Sequence, residues 1–101
     1  MALRPVATVL PKESATLSRM MKADRVLYRW TTHAREEMAN DSILEADIRH
    51  VLSKNSVSWV EWKTDELWHI EGCDIDGRKI RVVVAVYEAT TTIKVITAMA
   101  L

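Results

Sequence analysis

The chain has little of what crosslinks or punctuates a fold. Its 101 residues include two glycines, two prolines, one cysteine and no phenylalanine. A lone cysteine, Cys73, cannot form an internal disulfide, and there are too few thiols for a zinc finger. Both facts point to a reducing cytoplasm. No apolar run approaches the ~20 residues of a membrane-spanning helix, so no membrane partner is expected. The opening MALRPVATVLPKES lacks the successive regions of a signal peptide. Gly-rich phosphate loops, nucleophile elbows and metal-ligand spacings are absent, so neither metal nor cofactor is expected. Net charge is missing too, because 14 Lys and Arg balance 14 Asp and Glu. Proteins that grip nucleic acid mainly through phosphates are usually basic, which counts against indiscriminate binding. The charge is nevertheless uneven. Residues 1–30 carry Arg4, Lys12, Arg19, Lys22, Arg25 and Arg29 against Glu13 and Asp24, and the rest is acidic.

What the chain does have is one dominant stretch, RKIRVVVAVY (78–87). Side chains alternate across a strand. Ile80, Val82, Val84 and Val86 therefore form a dry face, and Lys79, Arg81, Val83, Ala85 and Tyr87 a wet one. Asp76-Gly77 before it is a strong hairpin signal. A two-residue loop there would mix polar and apolar groups on both faces. A three-residue loop, Ile75-Asp76-Gly77 with Gly77 left-handed, puts Trp68 and Ile70 on the dry face and His69 and Glu71 on the wet one. A one-residue slip turns every side chain over, so burial selects the second register. Glu88–Thr91 reads as a four-residue loop to a last strand, Thr92–Met99, with Ile93 and Val95 dry and Lys94 and Ile96 wet.

Upstream, residues 1–10 read as a flexible arm and 11–101 as one domain, with hydrophobic residues at 49% to supply its core. Leu17, Met20 and Met21 lie at helical spacing within Lys12–Ala23. Arg25–Trp30 is a candidate edge strand. Thr31-Thr32 offers a cap, here taken as Thr32, for a helix through HAREEMAN. Ser42 and Glu45 read as a capping box for a helix whose apolar face is Leu44, Ile48, Val51 and Leu52. VSWVEWK (57–63) reads as a strand whose faces depend on the length of its loop to Glu66. The class is α+β, with N-terminal helices packed on a three- to four-stranded antiparallel sheet.

Metal-free RNA cleavage needs a base for the 2′-hydroxyl, an acid for the leaving 5′ oxygen, and cations for the crowded phosphorane. His69, with an imidazole suited to proton transfer, can serve as base or acid. Lys79 is an alternative base, Tyr87 an alternative acid, and Arg81 with Lys79 the cations. The other reading is a solvated sheet face with cross-strand pairs such as Glu71–Arg81, and His69 tied to Glu61 or Glu71. His33 opens a helix with Glu37 one turn on, placed either to bind phosphate near free amides or to hold the helix start. His33, Arg35 and Lys94 are the candidate substrate-binding residues. Four tryptophans in a chain without phenylalanine must mostly serve the core; one at most is free to stack a base. His50 and Cys73 read as structural.

The stretches YRWTTHAREEMANDSILEADIRHVL and ELWHIEGCDIDGRKIRVVVAVYEATTTIKVITAM resemble a family of small bacterial domains of unknown function in the RelE/ParE-like toxin superfamily. That family stands close to MqsR-type and BrnT-type toxins. The most specific parts are His33-Ala34-Arg35, Gly77-Arg78 and Ile96-Thr97. The resemblance implies helices on an antiparallel sheet and the toxin of a type II toxin–antitoxin system, an endoribonuclease that cuts mRNA without a metal. It also implies a cognate antitoxin, commonly a helix-turn-helix protein and sometimes one with a zinc module. The chain departs from the family at Glu37, where a second Arg is frequent, and at Asp41-Ser42, where Arg-Gly is frequent. Those missing cations and the zero net charge favour the alternative, a non-enzymatic binding module of the same fold. A homodimer built on an exposed strand edge is the third reading.

Overall fold

In the computed structural model, which describes residues 10–23 and 25–101, alternation and helical spacing resolve into eight regular elements and one short turn. They are α1 (Pro11–Ala23), β1 (Leu27–Trp30), α2 (Thr32–Asp41), α3 (Glu45–Lys54), β2 (Val57–Trp62), β3 (Glu66–Cys73), β4 (Lys79–Tyr87), a 3₁₀ turn (Glu88–Thr90) and β5 (Thr92–Ala100). The fold is α+β. Its sheet has five strands in the order β1-β5-β4-β3-β2, not three or four. It is also mixed, because β1 runs parallel to β5. Residues 1–9 of the expected arm lie outside the described residues. Leu10 does not belong to an arm: its amide donates to the Val57 carbonyl at 3.2 Å and its side chain packs on the core.

The β3–β4 hairpin adopts the three-residue register. Trp68 pairs with Val84, Ile70 with Val82 and Glu71 with Arg81, and Gly77 has φ +87°. Burial explains the choice, since Ile70, Ile80, Val82 and Val84 are fully buried and Trp68 nearly so. The loop to β5 also keeps its expected register, with Tyr87 opposite Thr92 and Ala85 opposite Lys94. Beyond Val95 a bulge inserts Ile96 before Thr97 pairs with Val83.

Two helix starts differ from the sequence reading. Thr31, not Thr32, caps α2, its hydroxyl accepting from the Ala34 amide at 3.0 Å. Ser42 caps no following helix. It sits left-handed (φ 54°) at the end of α2, and α3 starts after Leu44, whose amide donates to Asp47 Oδ2 at 2.9 Å. Leu44 is therefore exposed, while Ile48, Val51 and Leu52 are buried as their spacing requires. Each such aliphatic side chain contributes about 1.5–3 kcal/mol by leaving water.

The helices also protect the sheet. Where β1 ends, α2 takes over the edge of β5. The Thr31 hydroxyl donates to the Ile96 carbonyl at 3.1 Å, and Asp41 accepts from the Ala100 amide at 2.9 Å. Covering an edge in this way blocks pairing with other chains. At the opposite end α3 seats on β3 through Gly72. A Cβ there would lie 2.2 Å from Asn55 Nδ2, which donates to the Val51 carbonyl at 3.0 Å. Gly72→Ala is expected to cost about 1–3 kcal/mol by overpacking. Urea denaturation should show a lower midpoint with an unchanged slope, and an unchanged midpoint would mean that Asn55 turns aside freely.

Candidate functional site

Helical residues pack with the dry face into one large cluster, together with Ile70, Ile80, Val82, Val84, Ile93 and Val95. The wet face carries a second, small cluster of Leu67, Val83 and Ala85, bordered by Tyr87 and Ile96, with no helical residue among them. This apolar floor is buried. The polar side chains around it form two groups.

The first group joins three strands. Trp59 stands directly opposite His69, and the two rings stack with centroids 4.3 Å apart and planes 20° apart. Glu61 sits one pleat further along, and its Oε1 is 3.1 Å from His69 Nε2. Arg81 reaches from β4, with its guanidinium carbon 5.2 Å from the Trp59 ring centroid. Its Nε and Nη2 both donate to Glu71 Oε2, at 2.8 and 2.7 Å. His69 is only 13% exposed and Arg81 26%. The group is thus a packed array of imidazole, indole and guanidinium held by two carboxylates. A guanidinium has five N–H donors, so Arg81 keeps donors beyond those bound by Glu71.

The second group is Tyr87, Lys94 and Arg29, around a cleft of about 380 Å³. The Tyr87 hydroxyl donates to Asp65 Oδ2. That bond, reinforced by burial and by the Asp65 charge, holds the phenol above its ordinary pKa, with Arg29 pulling the other way. A phenol stabilised in its protonated form is a weaker acid near neutrality. Tyr87 also lies four residues along β4 from Val83, the partner of His69, which is about 13 Å. Tyr87 and His69 therefore do not meet at one phosphodiester.

The remaining candidates are dispersed. Lys79 lies four residues from Val83 in the other direction, opposite Cys73, and is exposed. His33 is 64% exposed, its Nε2 2.6 Å from Glu37 Oε1. It sits on α2 beyond β5, while β3 lies about 10 Å from β5 on the other side, so His33 and His69 do not share a site. Arg35 pairs with Glu45 at 3.1 Å and lies over Trp30. Of the candidate catalytic set, His69 and Arg81 come together; Lys79 and Tyr87 stand at opposite ends of β4.

Trp59 and Arg29 emerge only from the structure as site residues, whereas the tie between His69 and Glu61 is one the sequence already offered. Trp59 and Glu61 alternate in VSWVEWK and so share a face. Trp62 pairs with Glu66 across the three residues Lys63–Asp65 and a bulge falls between Val57 and Trp59, so Trp59 rather than Glu61 stands opposite His69. Among the described residues, no three His, Cys, Asp or Glu side chains converge as a metal site would need, and no helix is long and apolar enough to cross a membrane.

These features define a class: an α+β domain whose second sheet face carries a histidine–carboxylate contact beside a guanidinium. The chain belongs to the family described as Domain of unknown function (DUF4258), which matches residues 30–100. No curated protein and no solved structure matches the chain. The matched segment includes His69, Arg81, Tyr87 and Lys94; α1 and Arg29 precede it.

Proposed function

We propose that this protein is a metal-independent endoribonuclease, the toxin of a toxin–antitoxin pair, acting on mRNA in the cytoplasm. The observation that carries the reading is the contact between Glu61 and His69 beside the Arg81 guanidinium, on a sheet face whose apolar cluster contains no residue of a described helix. A carboxylate and an imidazole in contact supply the two proton transfers the reaction needs. Glu61 takes the 2′-hydroxyl proton as the O2′–P bond forms. The P–O5′ bond breaks, and the His69 imidazolium gives its proton to O5′. Arg81, oriented by Glu71 and lying over the Trp59 ring, offsets the charge gathering on the phosphorane. The products are a 2′,3′-cyclic phosphate and a 5′-hydroxyl. A RelE/ParE-like fold, kinship with MqsR-type and BrnT-type toxins and a helix-turn-helix antitoxin belong to the same proposal, supported by the resemblance of the His33, Gly77 and Ile96 segments.

The second reading is a binding module without chemistry. It is favoured by one observation: His33, Arg35, His69 and Arg81 are each already paired with a carboxylate, which weakens their pull on a polyanion. Incubating the purified protein with single-stranded RNA in a chelator separates the two. Cleavage leaving 5′-hydroxyl ends is expected. Growth arrest on induction with intact RNA would replace the nuclease by the binding module.

A further inference from the structure

Arg29 of β1 and Lys94 of β5 are direct partners in the parallel register, so both project from the same face. Like charges paired across strands destabilise a sheet. Among the described residues neither one forms an ion pair, whereas His69 and Arg81 each have a carboxylate at hand. The two cations share a cleft of about 380 Å³ with Leu27, Tyr87, Thr90 and Thr92. Its polar lining is thus two cations and three hydroxyls, with no carboxylate. Asp65, beside the cleft, accepts from the Tyr87 hydroxyl. A repulsive pair held in register over a hydroxyl-lined hollow is offset best by an anion.

We infer that this cleft is an anion site, and that it takes a phosphodiester of the same single-stranded RNA whose scissile phosphate lies at His69. The identity of the anion rests on the nuclease reading; the anion site itself does not. Strand spacing and pleat put Lys94 about 12 Å from His69. The floor between them is the buried strip of Leu67, Val83 and Ala85, bordered by Ile96, which offers no cation to another phosphate. The RNA would therefore cross the strands, from the Trp59–His69–Arg81 array to the Arg29–Lys94 cleft.

The test uses the full chain and a short 2′-O-methyl RNA, which cannot form the cyclic phosphate and so is not cut. Its affinity is measured across a potassium chloride series for the native protein and for Arg29→Gln/Lys94→Gln. The double variant should bind at least about tenfold more weakly at low salt. Its log–log salt slope should be shallower by about 1.4, ~0.7 for each cation removed. Its melting temperature should equal or exceed that of the native protein, because a repulsive pair is gone. Unchanged affinity and slope would overturn the proposal. A lowered melting temperature would make the two cations structural and overturn it as well. Inorganic phosphate, followed by NMR at the Thr92 and Lys94 amides, separates the two readings. Shifts in the native protein that vanish in the double variant would uphold the anion site even if unmodified RNA is never cut, a result that removes the nuclease alone.

Discussion

His69→Gln should slow RNA cleavage by about 10²- to 10⁴-fold, the usual loss when a positioned proton-transfer group is removed. Glutamine is chosen because it is polar and of similar reach, so it can still bond to Glu61 and lie against Trp59 while being unable to carry a proton. Its circular dichroism and melting temperature should stay close to native, which distinguishes lost chemistry from lost fold. Arg81→Gln should cost about 10²- to 10³-fold by removing charge stabilisation at the phosphorane, and should leave Glu71 without its bound guanidinium. If both residues act in one step, the double variant should be little worse than the poorer single one. Losses that multiply would assign them to separate steps. Wild-type cleavage by a folded His69→Gln protein would remove the catalytic role of the Glu61–His69 pair. In cells the same variants should relieve growth arrest in the same order.

The arrangement behind that result was partly legible in the chain. Alternation in residues 78–87, with the Asp76-Gly77 turn, sufficed to put His69 and Arg81 on one face, because only one register buries Trp68, Ile70, Ile80, Val82 and Val84 together. Two things were not legible. The bulge near Ser58 and the short β2–β3 loop decide that Trp59, not Glu61, faces His69 directly, and neither has a strong local signal. The parallel pairing of β1 with β5 joins segments more than sixty residues apart, which no local period encodes, so Arg29 stayed hidden beside Lys94. The family-like segments proved to have scaffold roles in this chain. Ala34 is fully buried, so its position admits only a small side chain. The Ile96 carbonyl receives the Thr31 hydroxyl. The departures have local uses too: Glu37 pairs with His33 and Asp41 caps the Ala100 amide. Glu37 and Asp41 are thus held by contacts within the fold.

Arg78 is the residue on which those contacts converge, and Arg78→Met should be the most destabilising single change on the surface. Its Nη1 donates to the Asp41 carbonyl and its Nη2 to the Ser42 carbonyl at 3.1 Å, closing the C-terminus of α2. Its Nε donates to Asp74 Oδ2 at 3.1 Å. Asp74 also accepts from the Asp76 amide at 3.0 Å and the Arg78 amide at 2.8 Å, while Asp47 accepts from the Ile75 amide at 3.3 Å. The β3–β4 turn is thereby tied to the junction of α2 and α3. Losing the two carbonyl contacts alone should cost about 2–4 kcal/mol, a fall of roughly 10–20 °C in melting temperature for a domain of this size. The same knot sets an acid limit. Burial pushes the Asp74 carboxyl up, but hydrogen bonds from the Arg78 amide and side chain and from the Asp76 amide outweigh it. Its folded pKa therefore lies below the ordinary 3.8. A depressed carboxylate adds stability that is present above its unfolded value and lost as pH falls through the folded one. Melting temperatures followed from about pH 5 down to pH 2 should drop below about pH 4 in the native protein and less steeply in Asp74→Asn. Parallel acid curves for the two proteins would show that Asp74 does not set this limit, and a native melting temperature in Arg78→Met would show that the turn holds its place by apolar packing alone.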